Sequence, residues 1–558
     1  MKNLLIILLL CLQGIKPAFA QKDGFNGEKL EQEVKLNLKK AYAASVRIVN
    51  LDANQQAVGG FFSGVVVDGD GHILTAAHAV SPNRAYQVTF PDGRSFRAKG
   101  LGVIHSIDAA MIVITDKGKW PFAKMGWSTL LEPNVPCVSL SYPGSFYANK
   151  PTLRFGYVAQ LKHETGFMRS TCLMEPGDSG GPLFDLKGRV IGIHSRVSVS
   201  VTSNMEVPVD EFRKYWTALK TPAVHTSFIP EDKVKLNKNE EKLTAVPQMP
   251  ELISNFKEQD NRFQKNVFTV VDSNQVSILS ALVDLNGLIS PSELEGKSFF
   301  ISKSSMVGPG AKVEMLDGSL IHAKVISRDE ESDLVLLQIP QEIAGGINLN
   351  KVFPGYTVDQ LGNFLISPKP KAPGEFSVLG NTQLGMPKSP ARYLGVGTSY
   401  NQDDYKIVVT GLYSISIEKG KSDDIAVKDV LTKINDRPLL TTNDLPDELS
   451  KFNTNQTVTL QYITRKGSVN TQTIALKPRY VEEDRSKDLF VDGKSKRRDN
   501  FKEVLIHDAK LKPSECGGPL FDLKGNFYGI NIARLSRTSS LTIPAPRVLL
   551  FVKGITSF

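Results

Sequence analysis

Apolar residues along most of this chain fall in short alternating runs rather than in helical stripes. Val65-Val66-Val67 and Val190-Ile191-Gly192-Ile193 are examples, and Asp-Gly, Pro-Gly and Lys-Gly pairs separate such runs. Alternation broken by closely spaced turn residues predicts antiparallel strands, and many in succession favour barrels. Two stretches depart from this period. Leu30, Val34, Leu38 and Tyr42 recur four apart and predict a helix near Glu28–Ala43, and a second helix is predicted near Val209–Leu219. Residues 221–262, rich in Lys, Glu, Asn and Pro, read as a linker with some helix.

The strand pattern occurs twice. Gly180 to Gly188 reads GGPLFDLKG, and Gly517 to Gly525 repeats all nine letters 337 residues later. Weaker likeness spreads outward from this identity. Arg154–Leu161 resembles Glu375–Leu384, Val88–Gly93 resembles Val313–Gly318, and Asp108–Ile114 resembles Asp333–Ile339. From Asp108 to Ser179 there are 71 residues, but from Asp333 to the aligned Cys516 there are 183. The second copy therefore holds an insertion large enough for a small domain. The expected organisation is an N-terminal helix over 21–44, a first copy over 45–220, the 221–262 linker and a second copy split into 263–387 and 481–558. The split is filled by an inserted domain over 388–480.

The first twenty residues follow neither pattern. Lys2 is followed by an apolar run from Leu4 to Leu12 and a small-x-small site at Ala18-Phe19-Ala20. This predicts a signal peptide over 1–20, too short to span a bilayer and cleaved before Gln21. The expected location is a bacterial periplasm or outside the cell. The formal charge of +9 becomes +7 without Lys2 and Lys16. Basic residues are scattered, with one run at Lys494-Ser495-Lys496-Arg497-Arg498, so a nucleic-acid partner is not expected. Cleavage leaves Cys137, Cys172 and Cys516, an odd number, so at least one thiol stays unpaired within the chain. Cys137 and Cys172 are read either as a bridge or as two buried thiols.

The chemistry concentrates in the first copy. Hydrolysing an amide takes a nucleophile, a base, a group that orients the base, and donors for the developing oxyanion. Thr75-Ala76-Ala77-His78 places an imidazole at the end of a strand, and Asp108 opens an apolar strand where a carboxylate needs a partner. Glu175-Pro176-Gly177-Asp178-Ser179-Gly180-Gly181-Pro182 puts a serine in a glycine-rich turn. The order His, Asp, Ser with GDSGGP resembles chymotrypsin-fold, trypsin-like serine peptidases over about residues 45–220. Scarce cysteines narrow the resemblance to the HtrA type. It implies a mainly β protein built as a chymotrypsin-like double antiparallel β-barrel, repeated as a degenerate second copy. It further implies a triad of His78, Asp108 and Ser179, an oxyanion hole of Gly177 and Ser179, and no metal or cofactor.

Trypsins pair the carboxylate before the serine with an N-terminus released by cleavage, and Arg47-Ile48-Val49 invites that comparison. Ile48 falls within the expected first strand, so Asp178 is expected to pair locally without a zymogen step. In the second copy the histidine position is read at Glu293 or Leu294, Asp333 remains, and Cys516 replaces the serine. Without an imidazole nearby that thiol is a poor nucleophile, so a binding or assembly role is expected. By resemblance, Leu173, Met174 and His194 belong to the primary specificity pocket. Leu173 and Met174 on the floor favour small aliphatic side chains over glutamate. The insertion resembles a PDZ domain of bacterial proteases, with Leu394-Gly395-Val396 as its peptide-binding motif. The expected function is cleavage of unfolded or exported polypeptides. The alternative is a peptide-binding scaffold or chaperone-like protein dominated by the PDZ and second-copy domains. HtrA-like proteins are often trimers, so a homo-oligomer is an expectation of the resemblance too.

Overall fold

The computed structural model describes residues 27–51, 55, 57–145, 150–197, 204–236, 261–352, 355–382, 385–386, 392–394, 396–401, 406–412, 424–440, 444–449, 451–452, 456–478 and 493–555. The expected leader, 1–20, lies outside the described residues, and no described helix is long and apolar enough to cross a membrane.

The first repeat is a pair of closed antiparallel barrels. The first contains β1 (Ser45–Leu51), β2 (Ala57–Val66), β3 (His72–Ala76), β4 (Ala85–Thr89), β5 (Ser95–Ile104) and β6 (Ala109–Ile114). They close in the order β1-β2-β3-β6-β5-β4. The second contains β7 (Pro136–Ser141), β8 (Thr152–Gln160), β9 (Met168–Ser170), β10 (Pro182–Asp185), β11 (Val190–Val197) and β12 (Asn204–Pro208), ordered β10-β11-β12-β9-β8-β7. The alternation predicts these antiparallel barrels, and the pair of them is the mainly β, chymotrypsin-like double barrel that the resemblance implies. Inward-facing Val46, Ile48, Ile73, Val88 and Ile112 are fully buried in the first barrel. Each such side chain contributes about 1.5–3 kcal/mol of transfer free energy.

Helix α1 (Gly27–Ala44) buries Leu30, Val34, Leu38 and Ala41. It also ties the two repeats together. Asn37 donates to the Leu186 carbonyl at 3.0 Å, while Glu31 accepts from the Phe364 amide at 2.7 Å. The single helix expected near Val209–Leu219 is two, α2 (Val209–Lys214) and α3 (Trp216–Lys220). Tyr215, at φ −118° and ψ 26°, breaks it. The break lets α3 lie on β5, where a Cβ on Gly102 would meet the Ala218 carbonyl at 2.5 Å. Cys137 and Cys172 are buried free thiols with sulfurs 4.0 Å apart.

In the second repeat, strands Phe364–Ser367, Glu375–Asn381, Leu505–His507, Pro519–Asp522, Phe527–Arg534 and Ser540–Pro544 close a barrel in the neighbour order of β7 to β12. The preceding sheet follows the order of β1 to β6, but the counterpart of β5 is split into Leu320–His322 and Lys324–Asp329 and the sheet is not closed. A separate sheet of Val396–Asn401, Lys406–Leu412, Val430–Ile434, Thr457–Ile463 and Val469–Ala475 sits in the connection between the counterparts of β8 and β9. It has its own core around Val409, Ile434 and Leu460. The two C-terminal barrels pack against one another. Phe155 meets Phe364 and Phe376 with ring centroids 5.2 and 5.7 Å apart. The Asp508 carboxylate accepts from the Phe155 amide at 2.7 Å and the Val378 amide at 2.8 Å.

Candidate active site

His78 sits in a short 3-10 turn directly after β3, and Asp108 directly before β6. These strands pair, with Ala76 opposite Ala109, so the two side chains emerge side by side. His78 Nδ1 lies 3.0 Å from Asp108 Oδ2 and 3.1 Å from Oδ1, and the His78 amide donates to Oδ1 at 3.0 Å. Asp108 takes a left-handed backbone, φ 56°, to make this approach. Its carboxylate also accepts from the buried hydroxyl of Ser195 on β11. Burial works against the Asp108 charge, but the hydrogen bonds and charge of His78 and the Ser195 hydroxyl outweigh it and lower its pKa. An ionised Asp108 at Nδ1 selects the tautomer with Nε2 as the open base. The imidazole is half exposed, 48%, so Nε2 is accessible to solvent and substrate.

Ser179 lies in the turn before β10, wedged between the barrels. Gly180 next to it has φ 80°, and a Cβ there would lie 2.0 Å from Thr75 Oγ1 and 2.3 Å from the Ser63 carbonyl. Only glycine permits this contact, which presses the serine turn onto β3, the strand that leads into the His78 turn. The Ser63 amide donates to the Ser179 carbonyl at 2.9 Å, and the Ser63 hydroxyl to the Gly177 carbonyl at 2.8 Å. Gly177 has φ 98°, with no room for a Cβ beside the Tyr142 carbonyl. Among the described residues, the amides of Gly177 and Ser179 donate no hydrogen bond. No hydrogen bond joins Ser179 to His78, a contact that acyl-transfer sites commonly tighten when substrate arrives.

The carboxylate before the serine has its partner inside the fold. Arg154 on β8 reaches Asp178 at 2.7 Å, with both side chains essentially unexposed, and also donates to the Leu173 carbonyl at 3.1 Å. Ser141 Oγ and the Glu175 amide complete the Asp178 shell, each at 2.8 Å. Burial opposes the charge on Arg154, but Asp178 and Glu175 more than offset it and keep its pKa above the ordinary value. Ile48 is fully buried in β1 opposite Phe62, so Asp178 is served by Arg154 and not by a released terminus.

The pocket residues divide. Leu173 and Met174 are buried, apolar and adjacent to the serine turn. His194, expected on a pocket wall, has no exposed surface and lies within the second barrel. Its Nε2 is 2.5 Å from Ser139 Oγ and its Nδ1 is 3.5 Å from Glu206 Oε1. Burial lowers the His194 pKa from 6.5 to about 3 and raises that of Glu206 from 4.5 to about 8. For the raised carboxyl, stability is fully present below pH 4.5 and is lost as pH climbs through about 8. For the lowered imidazole, stability is present above pH 6.5 and is lost as pH falls toward 3. Resistance to urea is therefore expected to decline on both sides of mildly acidic pH. Glu206→Gln should flatten the alkaline limb. An unchanged alkaline limb in a urea–pH series would assign that titration to another group.

The second repeat keeps the strand order of the first but places other residues at the corresponding positions. Asp333 has φ 60° and accepts from the Ser305 amide at 2.8 Å, while the Ser304 amide meets its carbonyl at 2.7 Å. In the first repeat the His78 and Ala77 amides make the same two contacts with Asp108. The histidine position is therefore Ser305, not Glu293 or Leu294, which lie in or at the end of the helix Pro291–Leu294. Lys303, fully buried, holds the Asp333 carboxylate at 2.7 Å. Cys516 is unexposed, and burial raises its pKa against the pull of Lys303. Iodoacetamide at pH 7 is expected to modify Cys516 in the folded chain no faster than an ordinary thiol. Fast labelling at pH 6 would reveal an activated thiolate.

In the inserted sheet, Leu394 and Val396 are buried core residues, and Gly395 lies outside the described residues. The strand that Val396 opens forms one edge of the sheet. Sequence reasoning missed Ser63, Arg154 and Ser195, because their roles depend on partners distant in the chain.

The profile of the trypsin-like peptidase domain matches residues 62–193, the span from β2 to β11 that holds all three triad positions. Serine protease HTRA1 of Xenopus laevis is 31% identical over 163 residues, covering 27% of this chain and 35% of that protein. Serine protease HTRA4 of Mus musculus is 29% identical over 169 residues, 29% of this chain and 35% of that protein. A protein of Bartonella henselae, described as a periplasmic serine endoprotease, DegP-like, is 28% identical over 143 residues, 25% of this chain and 28% of its own. The chain spans about a third of the length of the curated relatives it matches. Residues 62–193 thus carry a peptidase domain of the trypsin-like serine type.

Proposed function

We propose that the chain is a serine endopeptidase that cleaves unfolded or exported polypeptides through an acyl-enzyme. The observation that carries this reading is the ionised Asp108 at His78 Nδ1, with the Ser179 turn held against the same strand. Ser179 Oγ attacks the scissile carbonyl while His78 Nε2 takes its proton and then delivers it to the leaving amine. The Gly177 and Ser179 amides receive the oxyanion. Water repeats the sequence and frees the acid. A fluorophosphonate is expected to label the wild-type chain at Ser179, and casein digestion should follow the labelled fraction. An unlabelled Ser179 in folded protein would rule out the hydrolase. Leu173 and Met174 are read as the pocket floor, which favours small aliphatic residues over glutamate.

The expected leader and the periplasmic description of the Bartonella henselae relative support export to the periplasm or beyond. The insertion is read as a PDZ-like module that takes a peptide C-terminus as an added strand beside Val396–Asn401, with amides of Leu394-Gly395-Val396 meeting the carboxylate. Peptides with apolar free C-termini should bind the full chain more tightly than their amidated forms in calorimetric titration. Equal affinity would remove carboxylate capture. The second repeat is read as a degenerate peptidase copy, and assembly into a homo-oligomer follows the HtrA resemblance.

A further inference from the structure

The turn between the strands Phe527–Arg534 and Ser540–Pro544 of the second repeat is the counterpart of the β11–β12 connection in the first. Ser536, Arg537, Thr538 and Ser539 are all polar, yet none is more than 3% exposed. Burying such groups is unfavourable unless hydrogen bonds replace the lost water. Two of the replacements come from the other repeat. Thr538 Oγ1 donates to Glu175 Oε2 at 2.9 Å, across 363 residues of sequence. Arg537 Nη2 donates to Asn204 Oδ1 at 3.1 Å, across 333.

Both acceptors belong to the machinery around Ser179. The Glu175 amide donates to Asp178 Oδ2, the Asp178 amide returns to the Glu175 carbonyl at 3.1 Å, and the Ser145 amide holds Glu175 Oε1 at 2.9 Å. Asn204 Oδ1 accepts the Met174 amide at 3.2 Å, so it fixes the pocket floor. The turn itself is braced by hydrogen bonds of its own. Arg534 Nη2 holds the Arg537 carbonyl at 2.6 Å, and the Leu535 amide reaches the Ser539 carbonyl at 3.0 Å.

We propose that Thr538 and Arg537 are positioning residues for the catalytic-serine turn, so that the second repeat completes the peptidase site of the first. This rests on the reading of the Ser179 turn as catalytic. Thr538 fixes Glu175, which fixes Asp178 and with it the Gly177–Ser179 peptides that form the oxyanion hole. Arg537 fixes Asn204 and the Met174 floor. The second repeat thereby has a function that needs no nucleophile of its own.

The test uses the full chain with Thr538→Val, which keeps side-chain shape and removes the donor, and Thr538→Ser, which restores the donor. Hydrogen exchange across residues 172–181 is expected to quicken about tenfold in Thr538→Val and to return to wild-type rates in Thr538→Ser. The peptidase kcat of the folded valine variant should fall about tenfold with KM little changed, because the oxyanion donors act only in the transition state. Arg537→Gln reads the floor contact separately, through faster exchange of the Met174 amide, and carries the test if the valine variant does not fold. Wild-type exchange in the folded variants, or loss in Thr538→Ser equal to that in Thr538→Val, overturns the proposal. A wild-type chain that resists fluorophosphonate, with these exchange changes still present in the variants, would reject the hydrolase reading and leave the contacts of Thr538 and Arg537 to the Ser179 turn standing.

Discussion

Ser179→Ala and His78→Ala are each expected to lower kcat on a peptide substrate by about 10⁵–10⁶, and the double variant by scarcely more. Triad members act as one unit, since an unactivated hydroxyl and an imidazole without a nucleophile are about equally useless. Asp108→Asn should lose about 10⁴, because an amide at His78 Nδ1 favours the wrong tautomer. Ser195 gives this ordering a structural cross-check. Its hydroxyl meets the same carboxylate, so Ser195→Ala weakens the orientation of Asp108 without removing its charge, and a smaller loss is expected. Substrate turnover with purified protein, normalised to folded fraction, checks the series. Activity that survives in Ser179→Ala would move the nucleophile elsewhere, with Cys516 the next candidate to examine.

The second large effect is expected at Arg154. Arg154→Met leaves the Asp178 carboxylate buried and without its cation, which typically lowers stability by about 3–5 kcal/mol. The same change releases the Leu173 carbonyl and loosens the turn that carries Ser179, so activity should fall with stability. Arg154→Met combined with Asp178→Leu removes both charges and is expected to regain much of the stability, because no uncompensated ion remains. Activity should not return, since the Glu175 amide and the Ser141 hydroxyl then lose their acceptor. Urea unfolding and turnover of the three variants give both quantities. A single Arg154→Met variant as stable as wild type would mean that Asp178 takes up a proton, as its burial favours, or has another cation.

The elements most legible in the sequence are those governed by neighbours a few residues apart. Period-two alternation and turn pairs announce the barrels, and the four-residue spacing of Leu30, Val34, Leu38 and Tyr42 announces α1. The glycine-rich setting of Ser179 is readable because backbone geometry at Gly177 and Gly180 excludes every other residue. The repeat GGPLFDLKG is readable for the same reason, and Gly517 repeats the close contact of Gly180, with the Leu279 carbonyl 2.1 Å from a Cβ placed there. The helix near Val209–Leu219 was legible as helix, but not its break at Tyr215, which depends on how α3 seats against Gly102.

Other assignments required the tertiary structure. Residue 305 replaces 293 or 294 as the histidine counterpart because backbone contacts to Asp333, not side-chain likeness, define the position. His194 is assigned to the pocket by resemblance, but β11 is buried on both faces over Val190–Ser195, so alternation along it cannot say which side meets substrate. Arg154 and Asp178 lie 24 residues apart, and Thr538 and Glu175 lie 363 apart. The physical reason is common to all of these. Strand period, turn chemistry and glycine steric limits act over a few bonds and leave a local mark in the chain. The partner of a buried charge or hydroxyl is chosen by whichever distant group burial leaves within 3 Å, and that choice exists only once both barrels and both repeats have packed.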